Sequence, residues 1–73
     1  MLNMTGGRLA RVRYLSGSMK VLVPGDHVLC AVTGQRIALN DLRYWSHELQ
    51  EAYLDAETAV KRHGEARAQG LIP

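Results

Sequence analysis

The hydrophobic rhythm of this chain changes near position 40, and that change limits its fold more than any other feature. Before it, apolar residues recur at every second position: Ala10, Val12 and Tyr14, then Met19, Val21 and Val23, then Val28, Cys30 and Val32. A period of two puts each set on one face of a strand. After it, Leu42, Trp45, Leu49, Ala52, Ala56, Ala59 and His63 recur at spacings of three and four, the period of a helix face. A chain pleated first and helical last belongs to the α+β class. The expected form is a small antiparallel sheet of two hairpins followed by a C-terminal helix or broken helix.

Turn residues divide these segments. Ser16-Gly17-Ser18 separates a strand at Leu9 to Leu15 from one at Met19 to Val23, and Pro24-Gly25 has the residue order of a type II turn. Thr33-Gly34-Gln35 turns the chain again, and Arg36 to Leu39 reads as a short return strand. Asn40 and Asp41 are candidate helix caps. Ser46 is the preferred one, because it leaves Leu42-Arg43-Tyr44-Trp45 as a short strand and is itself a strong N-cap. Leu54-Asp55 can break the helix, with Asp55 capping its second part, and Gly70 and Pro73 end it. The expected organisation is one domain over residues 1–73, with a loose arm at 1–8, a β-hairpin half at 9–39 and a helical half at 40–70. Its core would draw Val12, Tyr14, Val21, Val28, Cys30, Val32 and Ile37 from the strands. The helix would add Leu42, Trp45, Leu49, Tyr53 and Val60.

Size makes such a core thin. The chain has 73 residues, no phenylalanine and a single cysteine, Cys30, so no internal disulfide can form. Below roughly 70–80 residues a lone core supplies no more than about 3–5 kcal/mol, and small proteins add a disulfide, a metal or a second subunit. A homodimer is therefore expected, with Leu42, Trp45, Leu49 and Tyr53 serving as self-association or core residues. A hinge at Pro24-Gly25 or near Leu39 would let two protomers exchange elements. No stretch approaches the roughly 18 apolar residues of a membrane span. The first seven residues lack the charged and apolar regions of a secretory signal. The cytoplasm is the expected compartment, where the Asn3-Met4-Thr5 sequon carries no weight.

Charge is unevenly placed. Residues 1–39 carry Arg8, Arg11, Arg13, Lys20 and Arg36 against Asp26 alone, a net +4, whereas residues 40–73 carry four cations against six carboxylates, a net −2. Such halves attract each other across a fold or between subunits. They also attract polyanions, so Arg8, Arg11, Arg13 and Lys20 are candidate contacts to single-stranded nucleic acid. The reading is weakened because Tyr14, the adjacent aromatic, falls on the opposite strand face.

Several motifs fall short of a chemistry. Cys30-Ala31-Val32-Thr33-Gly34 has the outline of a zinc knuckle with threonine at the second ligand position, and no Cys-x-x-Cys follows downstream. The turn is expected to survive with hydrogen bonds in place of a metal, and no metal or cofactor is expected. A Cys30–His27 dyad fails on a regular strand, since residues three apart face opposite ways. His47-Glu48-Leu49-Gln50-Glu51 begins like a metalloprotease helix but has Glu51 where the second histidine belongs. His47 and Glu51 are expected to form a surface pair instead.

Three longer strings are more specific. Pro24-Gly25-Asp26-His27-Val28-Leu29-Cys30-Ala31-Val32-Thr33-Gly34, then Leu42-Arg43-Tyr44-Trp45-Ser46 and Gln50-Glu51-Ala52-Tyr53, resemble a family of short bacterial proteins known as a domain of unknown function. The resemblance runs from about Arg11 to Arg62. It implies a small bacterial α+β protein and no assigned activity, ligand or catalytic residue. The function expected from the residues is a non-enzymatic, self-associating interaction module, with nucleic-acid binding as the alternative.

Overall fold

The computed structural model describes residues 7–72. Most of the expected arm at 1–8, the Asn3-Met4-Thr5 sequon and Pro73 lie outside the described residues. Within them, three β-hairpins precede a C-terminal α-helix. The architecture is α+β.

The first hairpin joins β1 (Arg11–Tyr14) to β2 (Met19–Val23). Val12 faces Val21, Arg13 faces Lys20 and Tyr14 faces Met19; an irregularity after Arg11 sets that residue against Val23. The second joins β3 (His27–Leu29) to β4 (Arg36–Ala38), with Val28 opposite Ile37. A single 3-10 turn, Leu39–Asp41, leads to the third hairpin. This pairs β5 (Tyr44–Ser46) with β6 (Glu51–Tyr53) and sets Trp45 against Ala52.

Isolated two-stranded hairpins are marginal in water, so docking must hold these together. The residues before β1 run alongside β3: Leu9 bridges His27 in parallel, Ala10 N–H donates to the His27 carbonyl at 2.8 Å, and Asp26 N–H donates to the Arg8 carbonyl at 2.9 Å. Gly25 makes that approach possible. A Cβ there would lie 2.5 Å from the Ala10 nitrogen and 2.6 Å from the Arg8 oxygen. Gly25 is not among the glycines of positive φ, so the corner is not the type II turn expected from Pro24-Gly25; close packing, not φ, selects glycine. The second and third hairpins meet where Cys30 bridges Ala52 and Ala31 N–H donates to the Ala52 carbonyl at 2.9 Å. Ala10, Tyr14, Val28, Cys30, Ile37, Leu42 and Ala52 close the core at this junction.

The helix α1 spans Ala56–Ala68. Asp55 caps it by accepting the Thr58 N–H at 2.8 Å, and those Thr58 hydrogen bonds hold its carboxyl below the ordinary carboxylate range. At the other end Gly70 adopts φ 77°, Gly70 N–H donates to the Arg67 carbonyl at 3.1 Å and Leu71 N–H to the Ala66 carbonyl at 2.9 Å. That pair of bonds is a Schellman cap, whose left-handed residue favours glycine. Ala66 is the buried helix residue, and a guanidinium–carboxylate pair also ties α1 to β6: Arg62 Nε donates to Glu51 Oε1 at 3.1 Å and Nη2 to Oε2 at 3.3 Å.

Three further expectations need correction. The helix does not start at Ser46. Ser46 Oγ does accept the Leu49 N–H at 3.1 Å, as a cap would, but one turn later Gln50 takes φ 55° and the chain enters β6. The cause is tertiary. Gln50 Oε1 accepts the Tyr14 N–H at 3.0 Å, while Nε2 donates to the carbonyls of Tyr14 and His47, each at 2.7 Å. A third hairpin thus occupies the start of the expected helical half. Second, Val21, Val32 and Val60 are not core residues, being 45%, 44% and 72% exposed. Val21 lies on a hairpin that runs beyond the core, Val32 lies in the turn after Cys30, and Val60 lies on the open side of α1. Third, Glu51 pairs with Arg62, not His47, whose Nδ1 lies 3.4 Å from Glu48 Oε1.

Candidate functional site

The turn at Cys30 has the geometry of a metal knuckle. Cys30 N–H donates to the Gln35 carbonyl and Gly34 N–H to the Cys30 carbonyl, both at 2.9 Å. Two further amides aim at the sulfur: Thr33 N–H and Leu54 N–H each donate to Sγ at 3.4 Å. Burial pushes the thiol's pKa up, but hydrogen bonds from Thr33, Val32 and Leu54 outweigh it and bring the pKa below the ordinary thiol value. Among the described residues no three His, Cys, Asp or Glu side chains gather in a way that could hold a metal. His27 Nδ1 donates to Asp26 Oδ1 at 2.6 Å, and along the extended run from β3 to Cys30 residues three apart, such as His27 and Cys30, face opposite ways. Sulfur, amides and the Thr33 side chain form a closed structural joint between β3 and β6.

The aromatic residues build a cleft beside β5. Trp45 stacks on Tyr14 with ring centroids 6.2 Å apart and planes at 28°, and its Nε1–H donates to the Leu15 carbonyl at 2.8 Å. Trp45 is half-buried, so it forms a wall of the molecule where a core centre was expected. The cleft has a volume of about 480 Å³ and lies between the β1–β2 turn, the start of the β5–β6 turn and α1. Leu15, Trp45 and Val60 form its apolar walls, and His47, Glu48 and His63 are its polar groups. Glu48 is held below the ordinary carboxylate range by its own backbone amide, with smaller help from His47, Ser46 and His63. At its floor Tyr53 O–H donates to Glu51 Oε1 at 2.9 Å; burial, then that carboxylate, pushes the phenol up to about 12. No single motif announced this cleft, because its walls come from three separated segments.

A third surface is apolar. Lys20, Val21, Leu22 and Val23 of β2 are all exposed, and β2 has β1 as its only strand partner among the described residues. Beside it, Leu9, Leu22 and Leu29 rim a groove of about 340 Å³ floored by Val12, Val28 and Ala52. They are 50%, 55% and 46% exposed.

Sequence candidates distribute over these features. Arg8, Arg11, Arg13 and Lys20 are all exposed; Arg13 faces Lys20 across the hairpin, and Arg8 N–H donates to Asp26 Oδ1 at 3.2 Å. Tyr14 is buried beneath them. Of the expected self-association or core residues, Leu42 and Tyr53 are buried, while Trp45 and Leu49 are half-buried. The exposed apolar strip on β2 was missed as a surface, since alternation marked Val21 for the interior and put Val23 on the same face.

No described helix is long and apolar enough to cross a membrane. Searches of curated proteins and of solved structures found no match. Residues 21–62, more than half of the chain, match a family described as "Uncharacterized protein conserved in bacteria (DUF2093)". They include the Cys30 knuckle, the whole β5–β6 hairpin and the first half of α1, and on that match the chain belongs to this bacterial family.

Proposed function

We propose that this protein is a cytoplasmic, non-enzymatic interaction module that self-associates through the free edge of β2. The observation that carries the reading is the apolar strip Val21-Leu22-Val23, exposed on a strand whose outer edge has no described partner. An exposed, apolar, unpaired edge is a template for another strand. A second copy is the occupant that fits best. Antiparallel pairing of β2 with itself obeys a two-fold axis, and an axis at Val21 sets Lys20 against the partner subunit's Leu22, so that like charges do not meet. Two marginal hairpins would become one four-stranded sheet, which passes the strand number needed for independent stability. The net +4 of residues 1–39 and the net −2 of residues 40–73 favour association between copies.

Sedimentation equilibrium tests this. The wild-type mass is expected to rise with concentration toward twice 8.1 kDa. Leu22→Lys and Val21→Lys, both at exposed positions, should stay monomeric with an unchanged circular dichroism spectrum. A wild-type mass fixed at 8.1 kDa at every concentration would refute the proposal.

The second reading, single-stranded nucleic-acid binding, is favoured by Arg13 and Lys20 facing each other with Arg11 nearby. It is the weaker reading because Tyr14, the stacking residue it would want, is buried. It predicts binding that falls steeply with salt and disappears in an Arg11→Gln, Arg13→Gln variant.

A further inference from the structure

The Trp45 cleft has the size, wall chemistry and charge of a small-ligand site. Its volume of about 480 Å³ lies within the roughly 300–1,000 Å³ of ligand pockets, which combine apolar walls with a few convergent polar groups. Its aromatic wall is fixed before any ligand arrives. Tyr14 stacks on the Trp45 ring, and the Leu15 carbonyl accepts the indole N–H at 2.8 Å. The indole therefore offers a π surface with its donor already spent.

The polar side carries one carboxylate, Glu48, beside the imidazoles of His47 and His63. Ser46 Oγ–H donates to Glu48 Oε1 at 3.2 Å, His47 Nδ1 lies 3.4 Å from the same oxygen, and the backbone amide of Glu48 bonds to the same carboxylate. An ionised carboxylate has about four acceptor positions, more than these contacts fill. No lysine or arginine lines the cleft to neutralise Glu48. A carboxylate beside an indole recognises cations, the first by charge and the second through the ring quadrupole.

We propose that this cleft binds a small organic amine cation, with the ammonium group on Glu48 and the apolar body against Trp45 and Val60. This does not rest on self-association. The cleft lies at the Ser16-Gly17 turn of the first hairpin, whereas the β2 strip lies toward that hairpin's other end at Val23.

Trp45 is the only tryptophan in the chain, so its fluorescence reports the cleft directly. Phenethylamine is the probe, and phenylacetate, of similar size and opposite charge, is the control. Phenethylamine should change the emission saturably in the millimolar range, and phenylacetate should not. Glu48→Gln should weaken phenethylamine about tenfold or more. Val60→Arg, at an exposed position, should abolish binding with the helix content unchanged. Titrating the Leu22→Lys variant as well separates this outcome from that of the β2 edge. Equal binding of phenylacetate, an unaffected Glu48→Gln variant, or no saturable change with phenethylamine would each overturn the proposal.

Discussion

The first and second hairpins are built from similar strands and meet opposite fates. In β3–β4 the facing pair Val28 and Ile37 is 4% and 3% exposed; in β1–β2 the facing pair is Val12 and Val21, and Val21 is 45% exposed. Propensity does not explain this, since the first hairpin is the richer in strand formers, with three valines and a tyrosine against one valine and one isoleucine. The difference is coverage. The second hairpin has the Arg8–Ala10 segment on one side and β6 on the other, joined through Cys30, whereas the first anchors by Tyr14 and leaves most of β2 outside. Alternation defines two faces of a strand, and only distant segments decide which of them is covered.

Substitutions can break this contrast by hitting its two sides unequally. The largest effect belongs to the covered hairpin. Ile37→Ala should cost about 2–5 kcal/mol in urea unfolding, a large part of a small domain's stability, and Ile37→Val about 0.5–1.5 kcal/mol. Next is the sulfur that locks β3 to β6. Cys30→Ala leaves the Thr33 and Leu54 amides without their acceptor and should cost about 1–3 kcal/mol. A smaller loss is expected at the helix cap, where Asp55→Ala should lower the unfolding midpoint and remove part of the acid sensitivity. The sign follows from the depressed carboxyl. Its contribution is complete above the ordinary value of 3.8 and is lost as pH falls through the lower folded-state value, so wild type and variant should converge in strong acid. The smallest effect sharpens the comparison. Val21→Ala should change the stability of the monomer by less than about 0.5 kcal/mol, measured at concentrations too low for association. A cost near that of Ile37→Ala would show that the two hairpins are covered alike.

A change from pleated to helical rhythm gave the α+β class, but the changeover falls at Asp55, not near position 40; the Asp55 cap and the Gly70 stop were both legible from residue type. The third hairpin was not. Ser46 makes a cap-like bond to Leu49, so the local signal was sound; what stops the helix is the engagement of Gln50 with Tyr14, 36 residues away. No local pattern carries that information. Glu51 was misread for a related reason: its partner Arg62 lies 11 residues on, across the β6–α1 junction. The knuckle outline at Cys30 was readable because its turn and sulfur sit within five residues. The cleft was illegible because Leu15, Trp45 and Val60 come together only in the folded chain.

Gln50 ties two separate regions of the surface together. Its carboxamide holds both the N–H and the carbonyl of Tyr14, imitating a strand neighbour, and also grips the carbonyl of His47, which borders the cleft. One side chain thus acts as a clasp between the protruding hairpin and the loop beside Trp45. Removing that carboxamide would leave the Tyr14 N–H and the carbonyls of Tyr14 and His47 to find other partners at once.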